Sequence, residues 1–179
     1  MKKKLTIFLD FDGVVNTTQR DGSGMDMVLP IDEHDFELAL MDSYFSSKLL
    51  PTFSNFLVYC YEKDIDIVVC SSWRYYIDYP MFNKAFNKYF QICKRAKNKK
   101  IEPINIFVGQ TEKEGKDRGL EILDYVNTHK IENYIVIDDD WKFDILPHIS
   151  KEHILEIDGN MGFNENKYKE FRKYYERIK

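Results

Sequence analysis

The chain has 179 residues, a formal charge of −4, and a composition 44 % hydrophobic and 15 % aromatic. That balance excludes a disordered chain and gives no whole-chain basic signature of general nucleic-acid affinity, although a local patch remains compatible with it. The length suits one domain with a real core and is short for two, so residues 1–179 read as a single domain.

Met1 is followed by three lysines, but the apolar run after them ends at Asp10. It is too short for a signal h-region or a membrane span. Cys60, Cys70 and Cys93 have no CxxC spacing, and two of them lie in apolar stretches typical of reduced core thiols. A cytoplasmic protein with no membrane association and no obligate protein partner is the expectation.

In chain order, LTIFL at 5–9 reads as a buried strand that runs directly into Asp10-Phe11-Asp12-Gly13-Val14-Val15. Residues 16–30 have loop composition, and 31–48 carry no clear period. Residues 51–62 read as a helix with Pro51 in its first turn, and 65–70 as an almost wholly apolar strand of the kind a parallel sheet covers on both faces. Phe82, Phe86, Tyr89 and Phe90 mark an amphipathic helix over 80–93. A strand over 104–108 follows, then a helix over 117–128 with Leu120, Leu123 and Val126 on one face.

Residues 134–137 form another strand and end in Asp138-Asp139-Asp140, with Asp144 close behind. A short edge strand over 153–157 and a charged helix over 164–179 complete the chain. Strands alternating with helices predict an α/β fold: a doubly wound, Rossmann-like, mainly parallel sheet with helices on both faces.

Two apolar strands that both end in acids point to chemistry. Clustered carboxylates raise one another's pKa unless a cation joins them, and the cation that suits oxygen ligands is magnesium, Mg2+. In open α/β sheets such clusters meet in the crevice beyond the carboxyl ends of the strands. Magnesium held by carboxylates is commonly completed by a substrate phosphate, so the pattern points to phosphoryl transfer.

That reaction needs a nucleophile, a proton shuttle, charge neutralisation and oxygen donors. Asp10 is placed to attack phosphorus and form an aspartyl-phosphate, and Asp12 to act as general acid and base. Ser71 ends the second strand as a phosphate donor, with Ser72 and Arg74 beside it as substrate-binding candidates. Arg74 has two readings, a second phosphate or a structural carboxylate. Lys116 is the candidate cation bridging nucleophile and phosphate, with Arg118 in reserve and also placed among the substrate-binding residues.

DFDGV at 10–14, Ser71, Lys116 and IDDDWKFD at 137–144 occur in an order that resembles the haloacid dehalogenase (HAD) phosphatase superfamily. SSWR at 71–74, KDRGLEI at 116–122, the DDD triplet and Gly162-Phe163 resemble more narrowly the small HAD domains associated with RNA-repair proteins. The resemblance spans most of the chain. It implies that Asp10 is nucleophile and metal ligand, that Asp12 is acid/base with its backbone carbonyl on the metal, and that Asp139 is the distal ligand, a role Asp138 could exchange with it. Family spacing of the acidic pair fits Asp139 with Asp144 or Asp140 with Asp144, and the sequence leaves that register open.

The short intervals around Ser71 leave room for only a small cap, or none, which in this superfamily suits large substrates. RNA or DNA ends carrying a 5′ or 3′ phosphate are therefore the expected substrate, with a small-molecule phosphatase such as a nucleotidase, or a non-catalytic module of the same fold, as alternatives. A receiver domain is disfavoured because here the lysine precedes the final acids.

Lys94, Arg95, Lys97, Lys99 and Lys100 read as a solvated loop or a backbone-phosphate patch. Trp73, Tyr75, Tyr76 and Tyr79 read as packing or as a base-stacking surface. His34, His129, His148 and His153 lack ligand spacing and read as structural or surface groups.

Overall fold

The structure is a computed structural model and describes residues 4–17, 48–95, 103–112 and 115–179. Its strands are β1 (Leu5–Leu9), β2 (Asp66–Val69), β3 (Phe107–Gln110), β4 (Asn133–Asp138) and β5 (Ile154–Glu156). Its α-helices are α1 (Leu50–Glu62), α2 (Tyr79–Arg95), α3 (Arg118–His129), a single turn α4 (Trp141–Asp144) and α5 (Glu165–Ile178). The sheet order is β3-β2-β1-β4-β5, and every pairing is parallel.

β1 is central and buried throughout, which explains why its sequence is a continuous apolar run rather than an alternating one. Successive side chains still point to opposite faces. Ile7 and Leu9 join Ile67, Val69, Ile135 and Ile137 in one core, roofed by Phe53 and Phe56 of α1, Phe82 and Phe86 of α2, and Phe171 and Tyr175 of α5. Phe8, Val68 and Val136 face the other core, covered by Ile122 and Val126 of α3 together with Trp141, Ile145 and Ile149. Helices thus cover both faces of the sheet.

The chain winds outward from β1 to β2 and β3, then crosses back to β4 on the opposite side of β1. The crevice where that direction reverses lies beyond the carboxyl ends of β1 and β4. Both acidic segments begin there.

Three sequence expectations shift. The strand expected over 104–108 forms at Phe107–Gln110, because much of the backbone before it bonds to α2 side chains instead of a full ladder. Asn87 Nδ2 donates to the Ile104 carbonyl and Asn87 Oδ1 accepts from the Ile104 amide, both at 2.8 Å, while Asn83 Oδ1 accepts from the Ile106 and Phe107 amides at 3.1 and 3.2 Å. The buried face of α3 carries Gly119, Ile122 and Val126, and Leu120 is exposed. The apolar face therefore follows a three-then-four spacing set by the sheet beneath. The edge strand begins at Ile154, one residue later than expected, after a 3-10 turn over Lys151–His153.

The helices at 50–62, 79–95 and 165–178 lie close to where the pattern put them, α5 with Asn164 as N-cap accepting from the Asn166 and Lys167 amides. Between Ser71 and Lys116 the described chain supplies a crossover helix and a strand, not a lid. Residues 18–47, His34, the side chains of Lys94 and Arg95, Cys93, and Lys97, Lys99 and Lys100 lie outside what the structure describes, and with them the cap expectation after β1 and the basic patch. No helix among the described residues is long and apolar enough to cross a membrane, and Cys60 and Cys70 are buried free thiols.

Phe56 joins α1 to both ends of the last segment: its ring is 5.6 Å from Phe53, 4.7 Å from Phe163 and 5.0 Å from Phe171, and it is fully buried. Phe56→Ala is expected to lower unfolding stability by about 3–5 kcal/mol through lost burial plus the cavity left behind. Urea denaturation with an unchanged m-value would check it.

Candidate active site

β1 hands its last backbone bond to the site itself, the Asp10 amide donating to the Ile137 carbonyl at 3.0 Å. This extends the β1–β4 ladder by one residue and sets Asp10, only 4 % exposed, beside the end of β4. The chain then turns sharply, with the Val14 and Val15 amides on the Phe11 carbonyl and Gly13 at φ +69°. Glycine is required at 13 for two reasons. The left-handed backbone disfavours other residues, and a Cβ there would overlap the Asp139 carboxylate.

Asp138, the last residue of β4, is completely buried, and its Oδ1 accepts from the Asp140 amide at 2.8 Å. Asp139 is half-buried and Asp140 exposed. One oxygen each from Asp10, Asp138 and Asp139 lie within 4.8 Å of one another. Acids on two different strands, far apart in sequence, therefore converge.

Arg118, the first residue of α3, enters this cluster. Its Nη1 lies 3.0 Å from Asp10 Oδ2 and 2.5 Å from Asp138 Oδ2. Asp144 holds it from behind, accepting from the Arg118 amide at 2.8 Å and standing 3.7 Å from its Nε. Burial opposes the Arg118 cation, but Asp10 and Asp138 more than compensate and keep it protonated.

The carboxylates feel their crowding. Burial first and Asp10 second raise Asp138 to about 7, with Arg118 pulling the other way. The same two causes raise Asp139 to about 6.

Whether the cluster suits a divalent cation is tested by what the protein leaves unsatisfied. Asp10 Oδ1 is buried without a hydrogen-bond partner. Arg118 offsets only one of the three carboxylate charges. An oxygen-only donor set with an unsatisfied buried oxygen and surplus negative charge matches a hard cation such as magnesium. The residues fit.

The other candidates fall on both sides of the crevice. Ser71 follows β2 and is fully buried; its Oγ accepts from the Trp73 amide at 3.4 Å and caps the 3-10 turn Ser72–Tyr75. Ser72 is exposed at the start of that turn. Asp12 Oδ2 accepts from Trp73 Nε1 at 2.9 Å and its Oδ1 from Asn16 Nδ2 at 2.8 Å.

Arg74 turns inward instead of toward the crevice. It is 3 % exposed, donates to the Cys70 and Ser71 carbonyls at 2.7 and 2.8 Å, and pairs with buried Glu121 of α3. Of its two readings the structural carboxylate is the one the fold adopts, so as a substrate-binding candidate Arg74 is corrected. Lys116 Nζ pairs with Asp124 at 2.9 Å on an exposed part of α3, while Arg118 occupies the acidic cluster.

Trp73 is 1 % exposed and cannot stack on a base; Tyr75 and Tyr76 are exposed. His129 stacks on Tyr125, His148 pairs with Asp117, and His153 stacks on Tyr134.

The sequence reading did not identify Asn16, Glu121 or the orienting role of Asp144. Asn16 lies one turn beyond Asp12 in a Gly-led loop, a spacing that does suggest side-chain capping. Glu121 gives a weaker signal, an acid next to Ile122 on a helix that must bury a face.

A family model described as "HAD domain in Swiss Army Knife RNA repair proteins" matches residues 6–168, from β1 into α5. No curated protein and no solved structure matches. With the five-stranded parallel sheet and the acid-lined crevice at its switch point, that match shows that the chain belongs to the HAD superfamily, as a domain of the RNA-repair type.

Proposed function

We propose that the protein is a magnesium-dependent phosphomonoester hydrolase that works through an aspartyl-phosphate on Asp10, acting on phosphorylated RNA or DNA ends. The observation that carries the reading is the convergence of Asp10, Asp138 and Asp139 with one Asp10 oxygen left unpartnered. The family description supports a nucleic-acid substrate. So does the crossover helix where a lid between Ser71 and Lys116 would stand.

In the first step an Asp10 oxygen attacks phosphorus, the bond from phosphorus to the leaving oxygen breaks, and that oxygen keeps the electron pair and takes a proton from Asp12. In the second step water gives a proton back to Asp12 and attacks phosphorus, and the bond to Asp10 breaks to release phosphate. Arg118 fixes the Asp10 carboxylate through Oδ2 and spreads positive charge toward the reacting centre. Ser71 and the amides of the turn after it are the donors for the phosphate oxygens. A magnesium ion held by Asp10, Asp139 and the Asp12 carbonyl, with Asp138 engaged by Arg118 and the Asp140 amide beside them, would neutralise charge on the transferring group.

Asp10→Asn should lower kcat/KM by on the order of 10³-fold or more with the fold retained. Undiminished hydrolysis would reject the mechanism. A panel of p-nitrophenyl phosphate, nucleotides, and RNA and DNA with 5′ or 3′ phosphates, with and without magnesium, should favour the polymer ends; preference for free nucleotides would assign a small-molecule phosphatase, and no hydrolysis at all a non-catalytic module.

Arg118→Ala should cost about 10²-fold or more in kcat/KM, and Lys116→Ala far less. The reverse order would return the cationic role to Lys116.

Magnesium should raise the melting temperature of the wild type and not that of Asp139→Asn. Because the folded pKa values of Asp138 and Asp139 lie above the ordinary carboxylate value, their contribution to metal-free stability is intact below pH 4 and is lost as pH rises through about 6 and 7. The metal-free variant should therefore melt above the metal-free wild type at pH 8, and the gap should close toward pH 4. A gap independent of pH would contradict the crowding described above.

A further inference from the structure

Trp73 is placed where a core tryptophan would be, but its polar edge is not spent on the core. It is 1 % exposed, its ring packs at 5.6 Å against Phe11, and its Nε1 reaches Asp12 Oδ2 at 2.9 Å. On the other side of the same carboxylate, Asn16 Nδ2 reaches Oδ1 at 2.8 Å while Asn16 Oδ1 accepts from the Gly13 amide at 2.8 Å. The Gly13 bond commits the Asn16 oxygen, so the amide meets Asp12 with its donor side.

We infer that Trp73, assisted by Asn16, is a positioning residue for the proton-transfer step: the two hydrogen-bond donors clamp the Asp12 carboxylate in one orientation while taking no part in its proton exchange. The inference rests on the phosphatase reading and assigns within it a role that the family match does not describe.

The chemistry of the two groups supports this. An indole N–H donates and cannot accept, and the Asn16 group facing Asp12 is likewise a donor. Neither can remove a proton from Asp12. Each carboxylate oxygen keeps a second lone pair, so Asp12 can still hold a proton and pass it between leaving group and water. Asp12 sits in a turn rather than on a strand or helix, and its own backbone does little to fix its side chain. Holding the carboxyl group before substrate arrives removes an orientational cost from the proton transfer. The burial of the indole among Phe11 and its neighbours gives the clamp its rigidity.

Proton donation matters in proportion to how poor the leaving oxygen is. When the bond from phosphorus to an alkyl oxygen breaks, the departing alkoxide needs the Asp12 proton; p-nitrophenolate leaves without it. The test compares kcat/KM for β-glycerophosphate and for p-nitrophenyl phosphate in the wild type and in Trp73→Phe, which keeps an aromatic ring and removes the N–H. The ratio of the two constants, alkyl over aryl, is expected to fall about 10-fold or more, out of the 10²- to 10⁴-fold that general acid catalysis supplies.

A tryptophan that merely packs would lower both constants together and leave the ratio unchanged, which would overturn the inference. Should Trp73→Phe fail to fold, Asn16→Ala at the half-exposed side of the clamp should lower the same ratio, and an unchanged ratio there overturns the inference equally. A wild type that hydrolyses neither ester nor a 3′- or 5′-phosphorylated oligonucleotide would remove the phosphatase reading and the inference with it. If it acts on oligonucleotide ends alone, these serve as the alkyl arm and the same ends carried on a p-nitrophenyl leaving group as the aryl arm, and an active wild type with an unshifted ratio removes the inference alone.

Discussion

Electrostatic repulsion among three carboxylates, held within one small volume by the end of a parallel sheet, is the constraint around which the rest of the site is arranged. Two of the acids are nearly or wholly buried, where an uncompensated charge is costly. Arg118 reduces the cost, and Asp144 keeps Arg118 in place. What remains is a surplus of negative charge with a free oxygen, a state that a divalent cation would relieve and that the fold alone does not. The strain belongs to the chemistry rather than to the packing.

Topology makes that arrangement possible. β1 and β4 are neighbours in space, with two strands and three α-helices among the described residues separating them in sequence, and the aligned parallel register carries both strands to the same edge. The Asp10 amide still belongs to the ladder, so Asp10 inherits the rigidity of the sheet. Asp12 does not. Two residues farther on and in a turn, it depends on side chains, one of them from the segment after β2. A single short motif is thus held in two different ways, the first acid by backbone and the second by an indole and an amide.

Much of this was legible in the chain. Apolar runs ending in acids announced the strands, their parallel arrangement and the acidic crevice, because a strand buried on both faces leaves little ambiguity. The helical faces were less clear: on α3 the expected Leu120 is exposed and Gly119 is buried, since Gly119 lies where α3 crowds Asp144 and His148 and a Cβ would meet them. The start of β3 was missed because Asn83 and Asn87 satisfy the preceding backbone from a helix, an interaction with no local signature. In the sequence Arg74 stood open between a second phosphate and a structural carboxylate, and Arg118 stood behind Lys116 as the bridging cation. Their separation came from where their carboxylates lie, the buried Glu121 of α3 for one and Asp10 with Asp138 in the crevice for the other.

The Arg74–Glu121 pair has a mechanical meaning beyond its charge. Arg74 belongs to the turn that carries Ser71 and Trp73, and Glu121 lies one helical turn beyond Arg118. A buried brace therefore ties the wall offering hydroxyl and indole to the wall offering guanidinium, beneath the floor between them. Neither wall can swing outward by itself without exposing or stranding an ion in the interior. Under the proposed phosphatase reading, tolerance for differently shaped substrates would accordingly reside at the rim, in whatever surrounds the phosphate-bearing residue, and not in the width of the crevice between the two walls.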